Sequence, residues 1–377
     1  MIYLDYAATT PLNDEVLNTY YQLLQKYFYN ADSIYHKGIE VNRLMEKSRD
    51  LIASMFRVKN NEIIFTSCGS EANTMAIKGI AFQYQNRGKH IITSAIEHSS
   101  VYECCKQLES VFGFDVTYLP VDQTGHISIQ DLKESIRDDT ILVSIMAINN
   151  EVGAIQPIEQ IKEVLKDHEL VKLHVDMVQA LGKMPIDLKG IDCASFSAHK
   201  INGLKGSGIL YKNEHTSLVS LINGGQQEFS LRGGTSNACT NIVFAKTLRL
   251  ALENQKEHLE KVEHLNHYLR DILNDIDGVF INSGGICSPA IINFSCIGYK
   301  PEVILHDLES KDIYISTRSA CSSKTSDVSR VMKALHIDQE RAKSALRVSI
   351  SYLTNEEDLD KFGYCLQETL KNIKKQR

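Results

Sequence analysis

A chain of 377 residues and 42.4 kDa is too long for one small core, which favours a large domain with a smaller one attached. The formal net charge of -6 offers no general attraction for nucleic acid or an anionic membrane, so a small-molecule substrate is the better expectation. The nine cysteines contain no CxxC pair, which argues against a zinc site or a disulfide framework and indicates reduced thiols.

The N-terminal sequence MIYLDYAATTPL has no signal-peptide pattern, and no later stretch has the roughly eighteen uninterrupted apolar residues of a membrane helix. We therefore expect a cytoplasmic protein without a membrane anchor.

Ile2–Tyr6 predicts a short extended segment. The spacing of NDEVLNTYYQLLQKYF predicts a helix with Asn13 as its N-cap. A loop with Asn30 follows, and a long amphipathic helix is predicted from Gly38 to Phe56.

The segment EIIFTS predicts a buried strand that leads directly into Cys68, Gly69, Ser70 and Glu71 and then a helix. Such a turn leaves backbone N–H groups and the positive end of the helix dipole facing outward, where a phosphate binds well. An ordinary serine cap explains the turn equally well when the turn is considered alone.

Further strands are predicted at HIITSAIEHSS, ending near His98, and at VTYLPVD, TILVSIMAINNEVG and KLHVD, with helical patterns between them. Strands that alternate with helices predict a mostly parallel sheet covered on both faces. Ligands of such sheets bind beyond the carboxyl ends of the strands. Ser70, His98, Asn150 and Asp176 all fall at or just past predicted strand ends, so we expect them to converge. Alone, His98 fits a core or capping role as well.

The stretch from His174 to Lys200 carries the most chemistry, because Asp176, Gln179, Ser197, His199 and Lys200 supply five kinds of polar group. Pyridoxal phosphate requires a lysine amine for a Schiff base, an acid at its ring nitrogen, and donors for its phosphate and ring hydroxyl. The competing interpretation is two strands and a loop with polar groups at the surface.

The glycine-rich segment after Lys200 predicts a lysine on a tight, exposed turn, and the next loop contains Thr235. Residues Asn241–Asn274 predict one long charged helix that could bridge two domains. Strand-like runs at AIINFSC, DIYIST and ALRVSIS, with helices at Pro301–Glu309 and Glu356–Lys374, predict a smaller α+β domain.

Nine motifs occur in order along the chain: YLDYAATTP, FTSCGSEAN, IEHSS, NNEVG, HVDMVQ, SFSAHK, RGGT, SACSS and ALRVSIS. Together they resemble the NifS/IscS-type cysteine desulfurases of the class V aminotransferase family. The resemblance implies an α/β fold of the fold-type I pyridoxal phosphate transferases, with a mostly parallel central sheet. It also implies a large cofactor-binding domain at 14–255 and a small domain made of 1–13 and 256–377.

The resemblance further assigns roles to individual residues. Lys200 would bond the cofactor, Asp176 would hold the ring nitrogen, Gln179 the ring hydroxyl, and His98 would stack on the ring and move protons. The expected phosphate ligands are Gly69, Ser70, Ser197, His199 and, across a dimer interface, Thr235. Asn150 would lie beside the ring and substrate, Arg347 would bind the substrate carboxylate with help from Asn30, and Cys321 would be the nucleophile.

The implied reaction converts L-cysteine to L-alanine and leaves the sulfur on Cys321 as a persulfide. A homodimer would then deliver this sulfur to an acceptor protein for iron-sulfur clusters or tRNA thiolation. Two alternatives are a selenocysteine lyase and a sulfur-relay scaffold without catalysis. The chain departs from the family pattern at Cys68, Ala198, Leu204 and Arg318, and Arg318 could depress the Cys321 pKa or restrain its loop.

Overall fold

The computed structural model describes residues 1–317 and 328–373. Its strands form a seven-stranded, a three-stranded and a two-stranded sheet. In chain order they are β1 (Ile2–Tyr3), β2 (Ile63–Thr66), β3 (His90–Ser94), β4 (Asp115–Leu119), β5 (Thr140–Met146), β6 (Lys172–Asp176), β7 (Cys193–Ser197), β8 (Gly208–Lys212), β9 (Val279–Ile281), β10 (Ile291–Cys296), β11 (Ile313–Tyr314) and β12 (Ala345–Ser349).

Helices cover these sheets and connect most of their strands. In chain order they are α1 (Asp14–Lys26), α2 (His36–Phe56), α3 (Gly69–Tyr84), α4 (Ser99–Phe112), α5 (Ile129–Ser135), α6 (Ile158–Leu165), α7 (Ala238–Glu253), α8 (Gln255–Asn274), α9 (Pro301–Ser310), α10 (Arg330–Ala334), α11 (Gln339–Lys343) and α12 (Glu356–Asn372). Within residues 1–317 and 328–373, no helix is both long and apolar enough to cross a membrane.

The large sheet has the strand order β2-β8-β7-β6-β5-β3-β4, and within it β8 runs antiparallel to both of its neighbours. Alternate residues of a strand face opposite sides, so Ile63 and Phe65 belong to one apolar cluster and Ile64 to another. Helices α2 and α7 contribute to the first cluster, and α3 and α4 to the second. The predicted mostly parallel sheet with helices on both faces is confirmed.

The smaller sheets join distant parts of the chain. In the three-stranded sheet β10 lies between β12 and β9, and all pairings are antiparallel. Strand β1 pairs in parallel with β11, so the first residues lie beside the C-terminal third of the chain. This pairing favours the proposed grouping of 1–13 with 256–377, which stays a prediction.

Helix α1 begins where the sequence predicts, because the Asn13 side chain accepts hydrogen bonds from the backbone N–H groups of Glu15 and Val16 at 2.8 and 3.3 Å. Two other expectations were wrong. The long helix predicted for Asn241–Asn274 is two helices, because Asn254, with φ -116° and ψ 23°, interrupts the helical backbone between α7 and α8. Helix α2 begins at His36, two residues before the predicted start at Gly38.

Strand β3 also ends at Ser94, four residues before the predicted end at His98. The buried Glu97 carboxylate accepts hydrogen bonds from the Ser94 hydroxyl at 2.6 Å and the Met146 backbone N–H at 3.0 Å, which turns the chain away from the sheet. Burial raises the pKa of Glu97 to about 8. His98 is consequently the N-cap of α4 and lies beyond the strand.

Candidate active site

A cavity of about 190 Å³ lies where the carboxyl ends of β2, β5, β6 and β7 meet the N-terminal segment. The structure brings most of the predicted site residues together here. Those that line the cavity are Gly69, Ser70, His98, Asn150, Asp176, Gln179, Ser197, His199, Lys200 and Arg347. These residues are far apart in the sequence, so it is the fold that brings their side chains together.

Asp176 is the last residue of β6 and is only 5% exposed. Its two carboxylate oxygens accept hydrogen bonds from the Val178 backbone N–H at 3.0 Å and from Nδ2 of Asn73 at 2.7 Å. Both partners are donors, so they hold the two carboxylate oxygens in place. The role of Asp176 at a cofactor ring nitrogen stays a prediction, which this buried and oriented carboxylate favours.

Lys200 ends a single 3₁₀ turn, Ala198–Lys200, directly after β7. Its Nζ donates hydrogen bonds to the backbone oxygens of Ala7 and Ala8 at 2.6 and 2.7 Å. Lys200 is half-buried, so the expectation of an exposed turn was wrong: the N-terminal segment folds over the amine. The carbonyls of this segment therefore hold the amine at the wall of the cavity.

The amide orientation of Gln179 follows from its two partners. The Ala7 carbonyl can only accept, so Nε2 donates to it at 2.9 Å, and Oε1 accepts from Nζ of Lys183 at 2.8 Å. The amide nitrogen therefore has a second N–H with which to contact a ligand oxygen in the cavity. Burial, followed by the charges of Lys200 and Arg347, lowers the pKa of Lys183 to about 7. Sequence reasoning did not predict a role for Lys183.

The predicted phosphate site is formed by the start of α3 and the end of β7. A Cβ atom added at Gly69 would lie 2.6 Å from Cγ2 of Val178, so only glycine fits this close approach. The Ser197 hydroxyl is buried and has no hydrogen-bond partner among the residues that the structure describes. A buried hydroxyl without a partner, next to the N-terminus of a sixteen-residue helix, fits a phosphate group.

His199 completes this side of the cavity. Its Nδ1 lies 3.1 Å from the Thr9 hydroxyl, and burial, with the nearby charge of Lys200, lowers its pKa to about 4. The ring is therefore neutral near pH 7 and can offer one N–H to an anion. The amine, carboxylate, amide and anion-binding groups together match the donor set that pyridoxal phosphate requires.

Arg347 lies in the middle of β12 and is 1% exposed. Its Nη1 donates to the Asn150 backbone oxygen at 2.8 Å, and its Nη2 donates to Oδ1 of Asp5 at 2.5 Å. Nε has no partner among residues 1–317 and 328–373. Burial raises the pKa of Asp5, although Arg347 opposes that rise. The guanidinium group is thus held rigidly at the wall of the cavity, in a position to bind a carboxylate.

Two predicted residues lie outside this cavity in the single chain. Asn30 is exposed, and its side-chain oxygen accepts a hydrogen bond from the Asp32 backbone N–H at 3.0 Å, which stabilises the loop before α2. Thr235 is exposed as well. Their proposed roles in substrate binding and across a dimer interface stay predictions.

Cys321 and Arg318 lie outside the described residues, but the described chain on each side of them contacts a residue that lines the cavity or directly follows one that does. On one side, Ser316 and Arg347 exchange backbone hydrogen bonds of 3.0 and 2.7 Å. On the other, the Ser329 hydroxyl donates to Oε2 of Glu151 at 2.5 Å.

Arg330, the residue after Ser329, contacts the segment that precedes His98. Its guanidinium group donates to the backbone oxygens of Ala95 and Glu97, just before His98, and lies 3.8 Å from the Tyr102 ring centroid.

In the described part of the chain, no group of three or more His, Cys, Asp or Glu residues is arranged to hold a metal ion.

Comparison with known proteins gives a consistent result. Residues 2–362 match the family model for aminotransferase class-V. The chain is 41% identical over 363 residues to a Dictyoglomus turgidum protein named cysteine desulfurase IscS, covering 95% of this chain and 92% of that protein. It is 40% identical over 380 residues to a NifS/IcsS protein homolog of Lactobacillus delbrueckii subsp. bulgaricus, covering 100% and 98%.

Solved structures agree with these relatives. A NifS-like protein superposes with a TM-score of 0.93 at 36% identity, covering 99% of this chain and 100% of that one. A structure described as SspA in complex with cysteine has a TM-score of 0.82 at 33% identity, covering 93% and 99%. The chain therefore belongs to the class-V aminotransferase family, among the pyridoxal phosphate-dependent cysteine desulfurases of the NifS/IscS type.

Proposed function

We propose that this enzyme converts L-cysteine to L-alanine and that Cys321 receives the sulfur as a persulfide. The observation that supports this most is the convergence of Lys200, Asp176 and Arg347 on one cavity of about 190 Å³. When bound, pyridoxal phosphate withdraws electrons from the substrate α-carbon. All other steps depend on groups that the chain itself supplies.

Lys200 would bond the cofactor, Asp176 would hold its ring nitrogen, and Gln179 would donate to its ring oxygen. Its phosphate would lie at Gly69, Ser70, Ser197 and His199. The overall exchange balances: the carbon–sulfur bond of cysteine breaks as a sulfur–sulfur bond forms to Sγ of Cys321. L-Cysteine and one thiol thereby give L-alanine and one persulfide.

Arg347 would bind the substrate carboxylate, because its planar guanidinium group can make two parallel charge-assisted hydrogen bonds. We expect Arg347→Lys to raise the KM for cysteine by about 10- to 100-fold, because one such pair of bonds contributes about 1.5–3 kcal/mol. The dissociation constant of the cofactor should change less than twofold. Steady-state kinetics and cofactor titration measure the two effects.

The exposed ion pair of Arg249 with Glu253 provides the matched control, since Arg249→Lys also exchanges guanidinium for ammonium. That variant should keep the original KM. An unchanged KM in Arg347→Lys, or an equal change in both variants, would rule out the carboxylate-binding role.

Direct mapping tests the proposed sulfur acceptor. The holoenzyme is incubated with L-cysteine, its thiols are alkylated, and mass spectrometry locates the residue that has gained one sulfur atom. We expect Cys321 to carry it. Cys68 is the competing candidate, because it is a free thiol that lines the cavity. Sulfur on Cys68 with none on Cys321 would overturn the assignment.

We also propose that the enzyme is a homodimer whose partner supplies Thr235 to the phosphate site. Large apolar side chains on α1, on the loop after it and at the start of α2 are exposed in the single chain. They are Leu17, Tyr21, Leu24, Phe28, Ile34, Tyr35 and Ile39. Large apolar side chains exposed in such number on neighbouring segments of the chain are typical of an interface.

Sedimentation equilibrium should give twice the chain mass. Ile34 is 94% exposed, so we expect Ile34→Asp to weaken the dimer, whereas Tyr364→Asp on α12, where Tyr364 is 67% exposed, should not. A monomer at micromolar concentration with full activity would contradict the proposal.

We further propose a cytoplasmic enzyme that passes its sulfur to an acceptor protein. The free thiols at all eight cysteines of the described ranges support a reducing compartment.

A further inference from the structure

Four side chains form a continuous hydrogen-bonded path from His98 to Asp176. Nδ1 of His98 lies 2.8 Å from the Ser100 hydroxyl oxygen, which lies 2.9 Å from Nδ2 of Asn73. The same Nδ2 lies 2.7 Å from Oδ2 of Asp176. Asn73, on α3, is 1% exposed, so water does not replace these contacts readily. Asn73 and Ser100 were not among the predicted site residues, and only the packing of α3 against α4 brings them together.

The directions of the hydrogen bonds in this path are fixed by the carboxylate at one end and by the Ser100 backbone N–H at the other. Asp176 can only accept, so the Asn73 amide must present its NH₂ group, and that group also donates to Ser100. The Ser100 oxygen therefore accepts from Asn73. At the other end, the backbone N–H of Ser100 donates to Nδ1 of His98 at 3.2 Å, so the Ser100 O–H also donates to this nitrogen. Nδ1 is thus an acceptor, and the ring proton is on Nε2.

We propose that Ser100 and Asn73 are positioning residues that hold His98 in the neutral, Nε2-protonated tautomer. This proposal deepens the proposed function and rests on it for the meaning of the His98 role. His98 lines the cavity, and its N–H at Nε2 is then a hydrogen-bond donor for the reaction. Asp176 has two roles at once, because the carboxylate assigned to the cofactor ring nitrogen also orients the histidine.

The charges around His98 come from three parts of the fold. Asp176 on β6 raises its pKa, while Lys200 after β7 and Arg330 on α10 lower it, and burial is the largest cause of a lowered pKa. Ser100 acts in the same direction as burial. Its O–H and N–H bind the lone pair of Nδ1, which is available only in the neutral ring, so protonation must break these bonds.

The decisive experiment compares three single variants of the holoenzyme. Ser100→Ala removes the hydroxyl, Ser100→Thr keeps it, and Ser99→Ala is the matched control at the neighbouring position. We expect Ser100→Ala to lower kcat about tenfold and leave the KM for cysteine within about twofold. The acid limb of its kcat/KM profile should move to higher pH by about 0.5–1 unit, because a bond to the neutral ring is lost. Ser100→Thr and Ser99→Ala should retain the original profile.

Nitrogen NMR of holoenzyme containing ¹⁵N-histidine reads the tautomer without turnover, and His98→Gln identifies the His98 signals. We expect a protonated Nε2 and an unprotonated Nδ1 in the native enzyme and in Ser100→Thr, with exchange between tautomers in Ser100→Ala. A protonated Nδ1 in the native enzyme, or an unmoved acid limb in Ser100→Ala, would overturn the proposal. Because the NMR result does not depend on the substrate, it separates this proposal from the desulfurase assignment.

Discussion

Lys200→Ala is expected to reduce alanine production from cysteine by about 10⁴-fold or more, because no other group can replace a lost covalent anchor at the same position. The variant should also lack the visible absorbance of the native holoenzyme. The amine is held by the backbone oxygens of Ala7 and Ala8, so alanine at position 200 removes the reactive group together with both of these hydrogen bonds, although the Ala7 oxygen keeps its bond from Nε2 of Gln179.

Borohydride reduction followed by peptide mapping supplies the measurement for Lys200. In the native enzyme the pyridoxyl label should lie on Lys200, and Lys205→Ala, which changes an exposed lysine five positions away, should keep both label and activity. Lys183 is the alternative site, because it lines the neighbouring cavity of about 300 Å³ together with Lys200 and its pKa is lowered to about 7. A label on Lys183 in the native enzyme would show that Lys200 had been assigned wrongly.

Cys321→Ala is expected to keep the bound cofactor and its visible spectrum while alanine production falls by at least about 100-fold. Described residues on both sides of this position contact residues at or beside the cavity: Ser316 bonds to Arg347, which lines it, and Ser329 bonds to Glu151, which follows the cavity-lining Asn150. Cys321 is four residues beyond Thr317, the last described residue before it. The absence of its thiol should therefore affect sulfur transfer and leave cofactor binding intact.

Cysteine turnover and absorbance are measured on the same Cys321→Ala sample, so that loss of cofactor cannot imitate loss of the nucleophile. The control is Cys287→Ala, which removes a half-buried thiol in the C-terminal part of the chain. It should retain native turnover. Native turnover in Cys321→Ala would instead exclude this residue as the nucleophile and direct attention to Cys68.

Local sequence patterns predicted the elements that carry the site. Strand β6 is the segment KLHVD, and it delivers Asp176 at its last residue as expected, because a buried parallel strand is a continuous apolar run that ends at a polar residue. The N-cap at Asn13 was equally predictable, since a side-chain oxygen at that position satisfies two backbone N–H groups a few residues away.

Two of the errors, the end of β3 and the exposure of Lys200, arose where a distant contact decides the local conformation. The end of β3 depends on a bond between Glu97 and Met146, and no pattern within HIITSAIEHSS records that partner. Likewise, no pattern in the sequence marks Asn73, within helix α3, or Lys183, in the turn after β6, as partners of Asp176 and Gln179. The resemblance to a family supplied the residues that contact ligands, whereas the residues that orient them became visible only in the structure.

The bond between Asp5 and Arg347 joins positions 342 residues apart. During synthesis, the Asp5 carboxylate has no guanidinium partner until Arg347 has left the ribosome. The large sheet can form earlier, since its strands end at Lys212. A nascent chain should therefore be able to bind cofactor before it can recognise an amino acid, which delays sulfur chemistry until Arg347 has been synthesised and has folded into place.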